Sequence, residues 1–397
     1  MKLKTFAPSD VAGKKVLVRV DFNVPLTQEG AVADKTRLEA HIPLVRELVA
    51  AGARVALISH FGRPKGEVVA KYSLAPVAAA LSDLMKKKIT FVPACVGEEV
   101  AKAMEKASTG DVLLLENLRF HPGEEKNDRD FARKLALPFD VFVMDAFSAS
   151  HRAHASTRGI VDFLPSFAGP LLLREIDRLS QARDNPRSPY VLILGGAKVS
   201  DKIAVIESMI ERVDTIIIGG GMAFTFLKAQ GKEIGRSLCE EERLDFAREM
   251  FKRAKEKGVS LLLPCDVVVA REISSSAATD IVPVDCIPAD RIGLDIGPQT
   301  VELLKAALDE ARTVVWNGPM GVFEMPPFAD GTKAIAGKLA EITKKGAFTV
   351  IGGGDSAAAI VQFKHEKDVT HVSTGGGASL EFFEGRMLPG VEPYLVS

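Results

Sequence analysis

Short runs of β-branched and aliphatic residues alternate along this chain with longer amphipathic stretches. In the first half the short runs are Lys15–Val20, Arg54–Ser59, Ile89–Val92, Val112–Leu115 and Val141–Met144. In the second they are Val191–Leu194, Thr215–Ile218, Ser260–Leu263, Thr313–Trp316, Thr349–Ile351 and Val369–Ser373. Runs of this length and composition predict strands buried on both faces. Leu38–Ala50, Leu74–Met85 and Glu241–Lys257 carry apolar residues at helical spacing and predict helices. Strands alternating with helices build βαβ units, so the expected fold is α/β with mostly parallel sheets. No short repeat of fixed period is present, and the pattern divides into two α/β halves of similar size.

The break between the halves is expected between Leu171 and Pro189. Leu171–Arg183 reads as a helix, with Leu172, Ile176 and Leu179 on one face, and it ends at Asp184-Asn185-Pro186-Arg187-Ser188-Pro189, a strong turn signal. The expected organisation is an N-terminal domain over residues 1–170, a connecting helix and linker over 171–188 and a C-terminal domain over 189–374. The last segment, 375–397, is expected to pack back on the N-terminal domain. A helix joining two domains is a natural hinge.

Composition narrows the function classes. At 397 residues the chain exceeds what one core organises. A formal net charge of −1 gives no bulk attraction to nucleic acid or to an acidic membrane, so any anion site must come from local clustering. No apolar run reaches the length of a membrane span, and Met1-Lys2-Leu3-Lys4-Thr5-Phe6 has no apolar stretch behind it, so neither a span nor a secretory signal is expected. Cys95, Cys239, Cys265 and Cys286 are scattered and form no CxxC pair. They are expected to be reduced core thiols of a cytoplasmic protein. Without a long exposed heptad pattern, the expected state is a monomer.

Chemistry collects at the strand ends, where ligands of open α/β sheets bind. In the second half, four strands run into glycine turns: Leu194-Gly195-Gly196-Ala197-Lys198, Ile218-Gly219-Gly220-Gly221, Ile351-Gly352-Gly353-Gly354-Asp355-Ser356 and Ser373-Thr374-Gly375-Gly376-Gly377. Glycine lets the backbone approach a ligand, and the helix behind each turn offers N–H groups to an anion. One such turn is ordinary βα packing, but four in one half point to a phosphate site. Neither GxGxxG with a distant acid nor GxxxxGK[ST] is present, which disfavours a dinucleotide dehydrogenase and a P-loop enzyme. Lys198 and Lys202 are spaced i, i+4, so on a helix both would face one phosphate chain. Asp355 is placed either to cap its helix or to hold Mg²⁺.

The first half ends its strands differently. Its loops are Arg19-Val20-Asp21-Phe22-Asn23-Val24-Pro25 with Arg37 following, Ser59-His60-Phe61-Gly62-Arg63-Pro64, Glu116-Asn117-Leu118-Arg119-Phe120-His121, and Asp145 through Arg152 to His154. Four of the seven histidines fall in them. Arg37, Arg63, Arg119 and Arg152 above one sheet edge would make a pocket for a small polyanion, because the guanidinium fork matches carboxylate and phosphate oxygens. His60, His151 and His154 lack a carboxylate or cysteine to complete a metal site, so they are read as anion donors.

These segments together resemble the phosphoglycerate kinase family, of the bacterial type, over essentially the whole chain. The first-strand loop resembles the family signature, and His60–Pro64, Glu116–Phe120 and His151–Ser156 are similar to its substrate loops. Gly195–Lys202, Trp316–Glu324 and Gly352–Ser356 resemble its nucleotide half. The resemblance implies two Rossmann-like doubly wound parallel-sheet domains forming a bilobal hinge kinase. Its reaction would be reversible phosphoryl transfer from 1,3-bisphosphoglycerate to MgADP, giving 3-phosphoglycerate and MgATP.

By the matching positions, Asp21, Asn23, Arg37, His60, Arg63, Arg119 and Arg152 would hold the acid. Lys202, Gly293, Glu324, Gly353, Gly354, Asp355 and Ser356 would hold the nucleotide, with Glu324 at the ribose and Asp355 at Mg²⁺. Arg37 and Lys198 would bear on the moving phosphoryl group, and Gly375 and Gly376 would add backbone donors. One departure stands out: the family usually has Gly-Thr-Ala where this chain has Ser148-Ala149-Ser150, with Met144 ahead of Asp145, so this loop is expected to differ locally. The alternatives are an idle nucleotide-binding module, which should have lost Arg37, Lys198 or Asp355, and a dehydrogenase, which lacks its fingerprint.

Overall fold

The computed structural model describes residues Met1–Val396. It divides into two units, Met1–Asp177 with the segment from Met387 onward, and Arg178–Arg386. Helix Pro170–Asp184 carries the chain from the first to the second.

The first unit is built on a six-stranded parallel sheet. Its strands are β1 (Lys15–Arg19), β2 (Arg54–Ile58), β3 (Ile89–Val92), β4 (Val112–Leu115), β5 (Val141–Met144) and β6 (Ser166–Ala168), in the order β3-β4-β2-β1-β5-β6. Val16 sits opposite both Val55 and Val141, which puts β1 in the middle of the sheet. Val16, Leu17, Val18 and all of β5 are buried, as expected of strands covered on both faces. Helix Thr36–Ala50 begins where Asp34 accepts the Thr36 N–H at 2.9 Å and its hydroxyl at 2.6 Å. It buries Leu38, His41, Ile42, Val45 and Leu48 along one stripe. The C-terminal end returns to this unit: Leu3 bridges Leu395, and the Lys4 N–H donates to the Tyr394 carbonyl at 2.7 Å.

The second unit carries another six-stranded parallel sheet. It comprises β7 (Tyr190–Leu194), β8 (Thr215–Ile218), β9 (Ser260–Leu262), β13 (Thr313–Asn317), β14 (Phe348–Gly352) and β15 (His371–Val372), ordered β15-β14-β13-β7-β8-β9. Trp316 is fully buried on the central strand and donates its Nε1–H to the Gly318 carbonyl at 2.7 Å. Truncating it to alanine would cost about 3–5 kcal/mol.

A second sheet was not foreseen from the pattern. Strands β10 (Asp266–Ala270), β11 (Thr279–Pro283) and β12 (Ile292–Ile296) pair antiparallel in the order β11-β10-β12. With helix Met222–Ala229 they enclose a small core of Phe224, Leu227, Val267, Val269, Val284 and Ile287. β11 is nearly all exposed and ends in proline, while β12 contains Gly293 and Asp295, so neither shows a strand's hydrophobic signature. The cysteine expectation also needs correcting. Only Cys95 is a core residue; Cys265 and Cys286 are exposed, at the ends of β10 and β11. No helix among the described residues is long and apolar enough to cross a membrane.

Candidate functional site

In the first unit the loops that bear the expected residues leave β4, β2, β1 and β5, four neighbours in the sheet. Strand order thus gathers Arg119, His60 and Arg63, Asp21 and Asn23, and Arg152 at one edge, although they come from distant parts of the chain. Arg37 joins them from the first turn of helix Thr36–Ala50.

The residues are already linked to one another. Arg37 Nη1 donates to Asp21 Oδ2 at 2.7 Å and to the Asn23 carbonyl at 3.0 Å. The Ser148 hydroxyl donates to the same Asp21 oxygen, and the Asn23 N–H reaches Oδ1 at 3.1 Å. Asn23 Oδ1 in turn accepts the Gly62 N–H at 2.9 Å, and Arg119 Nη1 donates to the Gly62 carbonyl at 2.8 Å. Arg119 Nε lies 3.0 Å from Glu125 Oε1. Arg63 and Arg152 are exposed, and Arg63 has no ion-pair partner among the described residues.

Burial works against the charge on Asp21. Arg37, the Ser148 hydroxyl and the Asn23 N–H nevertheless hold its pKa well below the ordinary carboxylate value. For His60 the balance runs the other way: burial, with Arg19, Arg119 and Arg152, outweighs the attraction of Asp21 and keeps the ring neutral. Arg19 Nη2 lies 3.1 Å from His60 Nδ1. A guanidinium can only donate, so Nδ1 accepts and Nε2 carries the proton. Burial and Arg152 depress His151 to about 4; burial, Arg19, Arg119 and Arg152 depress His154 to about 3. Burial is the larger cause of these shifts, and the neighbouring arginines add to it.

One imidazole–carboxylate pair resembles acid–base machinery. His41 Nδ1 lies 2.7 Å from Asp145 Oδ2, and both side chains are buried. However, His41 Nε2 already accepts the Asp21 N–H at 3.0 Å, so the ring has no site left for a substrate proton. Asp145 Oδ1 also accepts the Leu171 N–H at 2.8 Å, at the start of helix Pro170–Asp184. The pair braces the Asp21 loop.

The Ser148 loop forms a 3₁₀ turn over Phe147–Ala149, with the Ser150 hydroxyl donating to the Phe147 carbonyl at 2.6 Å. The three residues that depart from the family pattern therefore close the turn on itself and direct one hydroxyl at Asp21.

In the second unit an open cleft of about 270 Å³ is lined by Gly195–Lys198, Asp201, Lys202, Asn317, Gly318, Gly353–Ser356, Gly376, Gly377 and Leu380. Its walls come from the ends of β15, β14, β13 and β7, again four neighbours. Lys202 Nζ donates to Asn317 Oδ1 at 2.6 Å, and burial lowers its pKa against the attraction of Asp201 and Asp355. Lys198 and Asp355 are exposed and unpaired among the described residues. Gly353, with φ of 89°, turns the chain into helix Gly354–Gln362. The Ser356 hydroxyl accepts the Gly318 N–H at 2.5 Å, which joins the β13 and β14 turns.

Two expectations for this half change. Helix Ile203–Met209 starts after both lysines, so Lys198 and Lys202 project from a non-helical loop and not from adjacent helical turns. The turn Gly219–Gly221 does not line the cleft. A side chain at Gly220 would strike the backbone of Gly196 and Pro319, so that glycine serves close packing beneath the β7 turn. Gly375, Gly293 and Glu324 also lie outside the cleft lining. Gly293 is on β12, where its N–H donates to Ser237 Oγ at 2.9 Å, and Glu324 is exposed on the loop after β13. The two segments are joined by the Val322 N–H donating to the Leu294 carbonyl at 2.9 Å. Asn317 and Glu240, which orders the Lys198 loop, were not singled out from the sequence; the last position of a central strand was the signal for Asn317.

Comparison with known proteins decides what these two sites belong to. The sequence pattern of the family described as phosphoglycerate kinase matches residues 6–386. The phosphoglycerate kinase of Thermosynechococcus vestitus is 51% identical over 384 residues, 96% of each chain. The chain belongs to the phosphoglycerate kinase family. That of Chlorobium phaeobacteroides is 50% identical over 393 residues, 99% of each chain. Among solved structures, phosphoglycerate kinase from Coxiella burnetii superposes with a TM-score of 0.87 at 40% identity, covering 99% of this chain and 98% of that one. Phosphoglycerate kinase from Pyrococcus horikoshii gives 0.85 at 32% identity, covering 97% and 96%. The parallel-sheet fold and the transferase activity of the family thus extend to this chain along its whole length.

Proposed function

We propose that this chain transfers a phosphoryl group reversibly between 1,3-bisphosphoglycerate and ADP by charge placement alone, without a general base. The observation that carries this reading is the division of labour between the sites. Arginines and neutral imidazoles cluster in the first unit; glycines, two lysines and the carboxylates of Asp201 and Asp355 cluster in the second.

Asp21, Asn23, Arg37, His60, Arg63, Arg119 and Arg152 bind 3-phosphoglycerate. Lys202, the Gly353–Ser356 turn, Gly293 and Glu324 bind the nucleotide, and Gly375 and Gly376 supply backbone donors. The residues present fit Mg²⁺. Asp355 offers an exposed carboxylate at the cleft, with Asp201 also in its lining. Such an ion keeps waters and takes phosphate oxygens with one or two carboxylates. When bound it would neutralise phosphate charge.

The attacking oxygen is a carboxylate in one direction and a diphosphate in the other, both ionised at neutral pH. What opposes reaction is repulsion between anions and the charge on the oxygens in flight. Arg37 and Lys198 are assigned to that charge. The acid and the nucleotide are held by different units, so transfer requires the units to bring them in line, with helix Pro170–Asp184 as the assigned hinge. Excluding water at that moment protects the acyl phosphate from hydrolysis. The near-neutral charge supports a protein without nucleic-acid or acidic-membrane partners, and a cytoplasmic monomer is the state proposed with it.

A coupled assay with 3-phosphoglycerate and MgATP, run beside an NADH titration, tests this. ADP formation dependent on both substrates, with no NADH binding, is expected. No turnover would overturn the proposal.

A further inference from the structure

We infer that Glu240 is a positioning residue for Lys198, an inference that rests on the assignment of Lys198 to the moving phosphoryl group. Between the end of β7 and helix Ile203–Met209 the chain runs through residues 197–202 without regular structure, and both cleft lysines lie in that stretch. Something outside the loop must hold it. Glu240 Oε2 accepts the N–H of Val199 at 2.5 Å and of Ser200 at 3.1 Å, and Oε1 accepts the Ser200 hydroxyl at 2.6 Å. Glu240 is itself tied down, its N–H donating to Thr225 Oγ1 at 3.1 Å on helix Met222–Ala229, where Thr225 is buried.

The consequence for chemistry is specific. Two consecutive backbone N–H groups, of Val199 and Ser200, are taken by a carboxylate, which fixes the chain on the far side of Lys198. Lys202 is steadied separately by Asn317, but Lys198 has no partner of its own. Its backbone is fixed from the next residue, where Val199 is buried and held by Glu240. Burial opposes ionisation of Glu240, yet the Ser200 and Val199 bonds and nearby Arg243 hold its pKa below the usual value, so the clamp is anionic at neutral pH. Charge-assisted bonds of this kind are short and strong. Misplacing a catalytic group by about 1 Å costs roughly a hundredfold in rate, so loosening this clamp should be felt in turnover before binding.

A double-mutant cycle in the full chain tests this, with kcat from the coupled assay and MgADP affinity from calorimetry. Glu240→Ala is expected to lower kcat by about tenfold or more while MgADP affinity changes less than about threefold. In a Lys198→Ala background the same substitution should lower kcat by less than about twofold, because what it positions is gone. Glu240→Gln, which keeps the volume and one acceptor oxygen, should show the same coupling at smaller amplitude and serves if the alanine variant does not fold. Additive losses, an unchanged kcat, or kcat and MgADP affinity falling together would overturn the inference while leaving the Lys198 assignment standing. A Lys198→Ala enzyme with normal kcat would remove both.

Discussion

The two candidate sites of this molecule, one in each unit, are built in different ways. In the first unit long cationic side chains already have protein partners: Arg37 on Asp21, Arg19 on His60, Arg119 on the Gly62 carbonyl. In the second, the cleft is mostly backbone at glycine turns, and Lys198 and Asp355 stand unpaired. The contrast follows the ligands each site is proposed to take. A small rigid acid carries its charge at two fixed ends, so preorganised guanidinium forks suit it and lose little entropy on binding. A phosphate chain with its metal needs close approach, which backbone without side chains provides. The first arrangement has a cost: burial, and after it the clustered arginines, depress the neighbouring histidines.

The strongest way to break this comparison is Lys198→Ala. If the unpaired lysine acts on charge in flight, kcat should fall by about a hundredfold or more with both substrate affinities nearly intact. Steady-state kinetics beside calorimetry checks it, and a loss confined to KM would assign Lys198 to ground-state binding. Next in size is Arg119→Ala. Removing one charge-assisted contact should weaken 3-phosphoglycerate binding by roughly tenfold to a hundredfold, and because Arg119 is buried, thermal stability should fall too. Unaltered binding would leave Arg119 a structural residue only.

A third effect, on stability and not on binding, lies in the second unit. Burial pushes Asp295 up to about 7, overcoming the N–H bonds from Gly331 and Ile296, with Asp330 adding to the rise. Its folded pKa is above the unfolded value, so native protein binds the extra proton. That contribution is complete below about 4 and is lost as pH rises through about 7, at roughly 1 kcal/mol per pH unit between. Urea unfolding from pH 4 to 8 should show this slope, and Asp295→Asn should flatten it whatever its absolute stability. A slope unchanged in the variant would place the titration elsewhere. The smallest effect belongs to Ser148→Gly, which restores the family's residue. Asp21 keeps Arg37 and the Asn23 N–H, so 3-phosphoglycerate affinity should change by less than about threefold; a loss above tenfold would make the hydroxyl essential.

Much of this was legible in the sequence because parallel sheets advertise themselves. Ile89–Val92 is rich in β-branched residues, Val112–Leu115 and Val141–Met144 are uninterrupted apolar runs, and the structure begins and ends those strands at the same residues. The arginine loops could be read because each follows such a run. The antiparallel sheet could not: β11 is solvent-exposed and β12 breaks its apolar residues with Gly293 and Asp295, so tertiary packing and not pattern makes them strands. Spacing misled for Lys198 and Lys202, since a carboxylate forty residues on in the chain holds their loop out of the helix. Gly219–Gly221 shows the same limit, because close packing and ligand approach ask for the same residue.

The central claim is that acid and nucleotide are held by separate sets of residues. Calorimetric titration of 3-phosphoglycerate and of MgADP, each alone, into the unsubstituted chain, Arg63→Ala and Lys202→Ala tests it most directly. Arg63→Ala should weaken the acid by about tenfold or more and leave MgADP within about twofold, and Lys202→Ala should do the reverse. Either substitution weakening both ligands to the same degree would contradict the division.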